Sequence, residues 1–239
     1  MNKKAFTLAE VLITLGIIGI IAALTLPALI QSYQKMVFRN QYKKMYATLS
    51  NAYNKAIYDM GGVTTCFHTN LTDNKEITPS FSASNEDCKK LKPLLEENLK
   101  IAKICNTQGV KNGCLKPNQY KGMDSLLKDS GATDEEAKEK TQGCNNINEN
   151  TLLNVATVYV LNDGSILIGH TSNTVPVVGV IDVNGQAGPN KWGWDVFKLA
   201  LNRNGHSYIM YPSGCSATDK GGISSYQMYL NTLLNINSN

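Results

Sequence analysis

The chain has 239 residues, 42% of them hydrophobic, enough for one sizeable domain with its own core. Formal net charge is +4; without Lys3 and Lys4 the 23 basic side chains fall to 21, against 19 acidic ones. So near-neutral a balance gives no support to nucleic acid as a partner.

Lys3, Lys4 and Ala5 precede Phe6, which opens an apolar run that continues to Ile30. A membrane-spanning helix needs about 20 apolar residues, and this run is long enough. One charge interrupts it, Glu10. An ionisable group in a membrane segment costs roughly 2.5–3.5 kcal/mol on insertion scales, so it calls for a partner. A secretory signal peptide has a shorter apolar core and ends in a small-x-small cleavage site, which is missing here. A plain single-pass anchor explains the length but not Glu10. The two lysines ahead of the run keep the N-terminus cytoplasmic and place everything after Ile30 outside.

Ala5-Phe6-Thr7-Leu8-Ala9-Glu10 and the apolar run behind it resemble the cleavage and methylation site of type IV prepilins and type II secretion pseudopilins. Ala5 stands where that family usually has glycine. The resemblance implies that a prepilin peptidase cuts between Ala5 and Phe6 and N-methylates Phe6; the S-adenosylmethionine belongs to the peptidase. It also implies that Glu10 meets the Phe6 amine of a neighbouring subunit, which sets register, since a buried carboxylate needs a cation. Gly16, Gly19 and Pro27 are weak points in the helix, and proline predicts a kink near position 27. Gly19 and Pro27 also resemble the family's helix-breaking positions, where helical order is lost as a filament forms.

Beyond Ile30 the helix continues. Phe38, Tyr42, Met45, Leu49, Ala52, Ala56 and Met60 fall at spacings of three and four, an amphipathic stripe for packing on the protein's own sheet. Gly61-Gly62 ends it. Residues 63–150 hold five of the six cysteines and read as a disulfide-pinned insertion between helix and sheet. Within it, Cys88 to Cys105 is a helix candidate, and Thr133-Asp134-Glu135-Glu136 has the spacing of a capping box. Cys66, Cys88, Cys105, Cys114, Cys144 and Cys215 all follow the membrane segment. An even count on the oxidising side reads as disulfides, with 15 possible connectivities. Cys105–Cys114 is the most local option. A zinc site using Cys66 and His68 lacks any C-x-x-C pair.

From Thr151 the pattern changes to strands: TLLNVATVYVL, then SILIG after the Asn162-Asp163-Gly164 turn, VPVVGVIDV before Asn184-Gly185, and SYIMYP. The fold class expected is α+β and pilin-like, a long N-terminal helix packed on a C-terminal antiparallel sheet. Its parts are a leader (1–5), a transmembrane or filament-core helix (6–30), its amphipathic continuation (31–62), a Cys-rich variable region (63–150) and the sheet region (151–239).

Asp182 to Asp195 resembles a loop of larger pilin-like proteins, and the major pseudopilins carry calcium in a loop of their C-terminal sheet. Asp182, Asn184 and Asp195 offer oxygen ligands for such an ion, but their spacing is not that of an EF-hand, and Asn-Gly and Gly-Pro-Asn also serve as ordinary turns, so a structural loop is the other reading. His68, His170 and His206 lie in separate segments, and no P-loop or G-x-G-x-x-G occurs, so no catalytic constellation emerges. The reading is a structural, non-enzymatic subunit of a type II secretion pseudopilus or a type IV pilus. It is held in the bacterial inner membrane with its C-terminal domain outside. Its partners are a prepilin peptidase, a platform protein and like subunits. The alternative is a minor tip pilin that binds surfaces or DNA.

Overall fold

The structure, a computed structural model, describes residues 7–72, 82, 84–129, 131, 133, 135, 147–169, 174–212 and 218–234. Ala5, Phe6, Cys144, His170 and Cys215 lie outside the described residues, as do Asp134 and Glu136 of the expected capping box at 133–136. The chain divides into two units, Met1–Phe38 and Arg39–Asn239.

Helix α1 runs Leu8–Asp59 and is helical through Gly19 and Pro27. From Tyr42 on, its apolar stripe is buried: Tyr42, Met45, Leu49, Ala52, Tyr53, Ala56 and Ile57. Gly61 and Gly62 stop it at φ 103° and 84°, where residues with a Cβ are strained. Their N–H groups return to the carbonyls of Tyr58 and Ile57, both at 2.9 Å.

Strands β1 (Ile101–Cys105), β2 (Val158–Leu161), β3 (Ile166–Gly169), β4 (Val178–Asp182), β5 (Val196–Asn204) and β6 (Ser207–Tyr211) form one sheet in sequence order. Every neighbouring pair is antiparallel. The register sets Tyr159, Leu167, Ile181 and Phe197 in one row across β2 to β5. Tyr42 of α1 meets this row edge-on at Phe197, with ring centroids 5.1 Å apart, and Tyr53 donates its hydroxyl to Pro176 O at 2.6 Å. Val158, Ile168 and Val180 form the opposite face, in a core with Leu115, Tyr120, Met123, Leu153 and Trp192. Both faces are covered, so β3 and β4 are buried at every residue and read as continuous apolar runs.

Three local expectations are corrected. Helix α2 is Glu86–Asn98, capped at its start by Asn85, and does not reach Cys105. Asn98 donates its side-chain amide to Leu94 O (2.8 Å), Leu99 turns extended, and the residues after it become β1, which joins the sheet. Thr151–Val155 is a helical turn, not a strand. Asn148 Oδ1 accepts from Thr151 N–H (2.8 Å) to start the turn, and Ala156 N–H closes it on Thr151 O (2.9 Å), with Leu152 and Leu153 buried. Strand β5 and helix α4 (Ser225–Tyr229), capped by Ser224, are additional elements, as is the short α3 (Met123–Asp129).

Two disulfides lie among the described residues, Cys66–Cys88 and the local pair Cys105–Cys114. Cys66 is therefore not available as a zinc thiolate. The first disulfide ties α2 to the segment after α1, where Asp87 also accepts from the Thr65 N–H and hydroxyl, each at 2.7 Å.

Candidate functional site

Two places concentrate the chemistry of this chain, the start of α1 and the loop between β4 and β5.

In the first, Thr7 and Glu10 form a capping box. Thr7 N–H and its hydroxyl both donate to Glu10 Oε2 at 2.8 Å, and Glu10 N–H donates to Thr7 Oγ1 at 3.3 Å. The pattern T-x-x-E was present in the sequence as the signal for this cap. The single carboxylate of the apolar run thus closes the helix end that carries it. Around it the surface is naked. Leu8, Leu12, Ile18, Ile20, Leu24 and Leu29 are each at least 60% exposed. The hydroxyls of Thr14 and Thr25 turn back onto Val11 O and Ile21 O at 2.9 Å, which removes two polar groups from that surface. A Cβ at Gly16 or Gly19 would meet nothing within 4 Å, so neither glycine serves packing inside this unit. The helix is long and apolar enough to cross a membrane.

In the second place, Asp182 ends β4 and Asp195 immediately precedes β5; both are fully buried. Asp182 Oδ1 accepts from the N–H groups of Asn184 (3.2 Å) and Gly185 (2.7 Å), and Oδ2 from the Tyr120 hydroxyl (2.7 Å). With its amide oriented to suit its neighbours, Asn190 adds a bond to Asp182 Oδ2 at 3.0 Å and one to Gly185 O at 2.7 Å. Asp195 accepts from the N–H groups of Asn190 (2.8 Å) and Lys191 (2.7 Å). Burial first, then the charge of Asp195, pushes the Asp182 carboxyl up to about 7; burial raises Asp195 as well.

The structure brings Asp182 and Asp195 together, while Asn184 donates its side-chain amide to Gly188 O. Each carboxylate oxygen already accepts from at least one donor. A calcium ion would have to displace N–H groups from the carboxylates, whereas Asn184 Oδ1 is buried and accepts no hydrogen bond among the described residues. Among the described residues no group of three or more His, Cys, Asp and Glu is placed to hold a metal.

The far side of the loop is clamped by residues 218–223. Trp192 N–H donates to Asp219 Oδ2 (2.8 Å), Asp219 N–H to Trp192 O (2.9 Å), and Ile223 N–H to Gly193 O (2.9 Å). The Trp192 indole donates to Lys121 O (2.8 Å). Gly185 sits at φ +61°, where a Cβ would lie 1.9 Å from Gly164 O. Replacing Gly185 by Ala is expected to cost about 3 kcal/mol, through backbone clash and strain together. Thermal unfolding of the solubilised chain measures it, and an unchanged midpoint would contradict this packing.

Residues 1–26 match the family model described as the prokaryotic N-terminal methylation motif, the cleavage signal of type IV prepilins and pseudopilins. The matched motif covers the first 26 of the 239 residues, and behind it the apolar helix and the antiparallel sheet have an α+β, pilin-like arrangement. No curated protein and no solved structure matches the chain.

Proposed function

We propose that the chain is a structural subunit of a type IV filament, either a type II secretion pseudopilus or a type IV pilus. The observation that carries this is the start of α1: a methylation motif leading into an exposed apolar helix with Glu10 as its one charge. Such a surface must be covered by lipid or by other helices. In the bacterial inner membrane, lipid covers it; the N-terminus faces the cytoplasm and the disulfide-bearing domain lies outside, where disulfides persist. In a filament, the helices of other subunits cover it, and a platform protein mediates the transfer.

Cleavage between Ala5 and Phe6 leaves a methylated amine at Phe6, four residues ahead of Glu10. The amine of an incoming copy pairs with Glu10 of its neighbour, and a subunit out of register leaves a charge unpaired among apolar side chains. Gly19 and Pro27 are the positions at which α1 gives way when the bundle forms. The work is assembly, not catalysis.

The test is incorporation. Cells with a complete filament machinery and a tagged copy of this chain are sheared, and the filament fraction is sedimented. Tagged chain in that fraction, dependent on the peptidase, is the expected result. Full processing with all of the chain left in the membrane would overturn the reading.

A further inference from the structure

The chain holds three Asn-Gly pairs, Asn112-Gly113, Asn184-Gly185 and Asn204-Gly205. In such a pair the backbone nitrogen of glycine, with no Cβ beside it to hinder approach, can attack the side-chain amide carbon of asparagine, which is one reason asparagine is thermolabile. The attack needs an asparagine amide able to turn back over its own backbone. It also needs a glycine N–H that can leave its acceptor.

The fold withholds both from two of the pairs. Asn112 donates its amide to Thr107 O (2.8 Å) and Gly113 N–H donates to Val110 O (3.0 Å), inside the loop closed by Cys105–Cys114. Asn184 donates its amide to Gly188 O, and the N–H of the buried Gly185 donates to Asp182 Oδ1 (2.7 Å). The third pair closes the β5–β6 hairpin. Asn204 pairs with Ser207, and Gly205 stands at φ 61° as the first residue of the two-residue turn, the place of glycine in a type II′ turn. Asn204, His206 and Ser207 are exposed, and the Asn204 side chain makes no hydrogen bond among the described residues. Gly205 N–H has one acceptor, Thr72 Oγ1, at 3.3 Å. That is a long bond at an exposed turn, and water replaces it easily.

We propose that Asn204 is a site of spontaneous modification, at which a neutral amide becomes a carboxylate as the folded chain ages. Gly205 N loses its proton and bonds to Asn204 Cγ; the Cγ–Nδ2 bond breaks and ammonia leaves. One water then opens the cyclic imide at either of its carbonyls. One opening leaves aspartate at position 204. The other leaves isoaspartate, in which the backbone passes through the side-chain methylene and gains a carbon between β5 and β6. Both add a negative charge at the turn, and isoaspartate also disturbs the pairing with Ser207 that closes the hairpin. The inference concerns the domain alone and stands whether or not the chain enters a filament.

The test incubates the full chain, solubilised from membranes, at mildly alkaline pH in water enriched in oxygen-18. A second portion is unfolded in denaturant with its disulfides reduced. Peptide mass spectrometry reads oxygen-18 carboxylates at 112, 184 and 204, so that amide lost later in handling is not counted. In the unfolded portion the three pairs are expected to react at similar rates. In the folded portion Asn204 is expected to lead the other two by about tenfold or more, because two hydrogen bonds must break first at each of them. Aspartate and isoaspartate together at 204 are the expected mark of the imide. Thr72→Val, which removes the acceptor of Gly205 N–H, is expected to quicken the reaction at 204 by about threefold and to leave 112 and 184 as they were. The inference is overturned if Asn112 or Asn184 keeps pace with Asn204 in the folded chain. It is overturned equally if folded Asn204 outlasts the completed reaction of the unfolded portion, if aspartate forms there without isoaspartate, or if Thr72→Val leaves the rate unchanged.

Discussion

Glu10→Gln is expected to lower the amount of chain in the filament fraction by about tenfold or more, while membrane insertion and processing continue. Glutamine keeps the geometry of the capping box, since Gln serves at its third position as Glu does. The bonds with Thr7 can therefore persist, and what disappears is the charge. An unpaired amine in an apolar bundle costs several kcal/mol, ample for a tenfold loss. Thr7→Ala is the complementary variant. It removes the hydroxyl that bonds Glu10 and keeps the carboxylate, at a cost of about 1 kcal/mol in the helix end. Assembly is expected to survive it. Quantitative blotting of sheared filaments and membranes reads both variants. Equal incorporation of Glu10→Gln and the parent chain would show that the carboxylate matters only as a cap.

The buried pair at β4 and β5 makes stability depend on pH in an uncommon direction. An unfolded aspartate titrates near 4. Asp182 in the fold titrates up at about 7, because of burial and then the charge of Asp195. Between those values the folded chain holds a proton that the unfolded chain has released. The contribution is therefore complete on the acid side of about 4 and is lost as pH rises through about 7. Asp195, also raised, acts in the same sense. The parent chain is expected to lose about 4 °C or more in Tm from pH 5 to pH 8 relative to Asp182→Asn, since 1 kcal/mol moves Tm by about 2–4 °C in a domain of this size. Scanning calorimetry at both pH values, with and without millimolar calcium, reads the effect. A calcium-dependent rise at pH 8 in the parent alone would show that the carboxylates turn from N–H donors to the metal. Identical pH profiles for parent and variant would contradict the raised carboxyl.

Much of this was legible in the sequence, and the reasons differ by element. The apolar run and its single charge are composition. The stripe from Tyr42 to Ala56 is a period, and the structure buries it. The Asp-Gly turn at 163–164 was enough to place the β2–β3 hairpin. Strand β5 was hidden because Lys198, Asn202 and Arg203 lie inside it, all buried, and break any alternation. Only tertiary cover, such as Ser225 Oγ accepting from Lys198 N–H at 2.9 Å, makes that stretch a strand. The end of α2 was hidden because its period continues through Leu99; a side-chain amide from Asn98 stops it. At the candidate sites, the residue types were visible but their partners were not. Asp182 and Asp195 read as oxygen ligands or as parts of an ordinary turn loop, and the backbone N–H groups that each accepts could not be foreseen from spacing.

Every functional statement about this chain depends on processing at its N-terminus. The direct measurement is intact mass with N-terminal sequencing of the full chain from cells that hold an active prepilin peptidase, beside cells with an inactive one. The account predicts an N-terminus at Phe6 with one added methyl group, and Met1 retained in the control. A chain that still begins at Met1 beside the active peptidase would contradict it, and would make the protein a permanently anchored domain in which Glu10 is only the cap of its own helix.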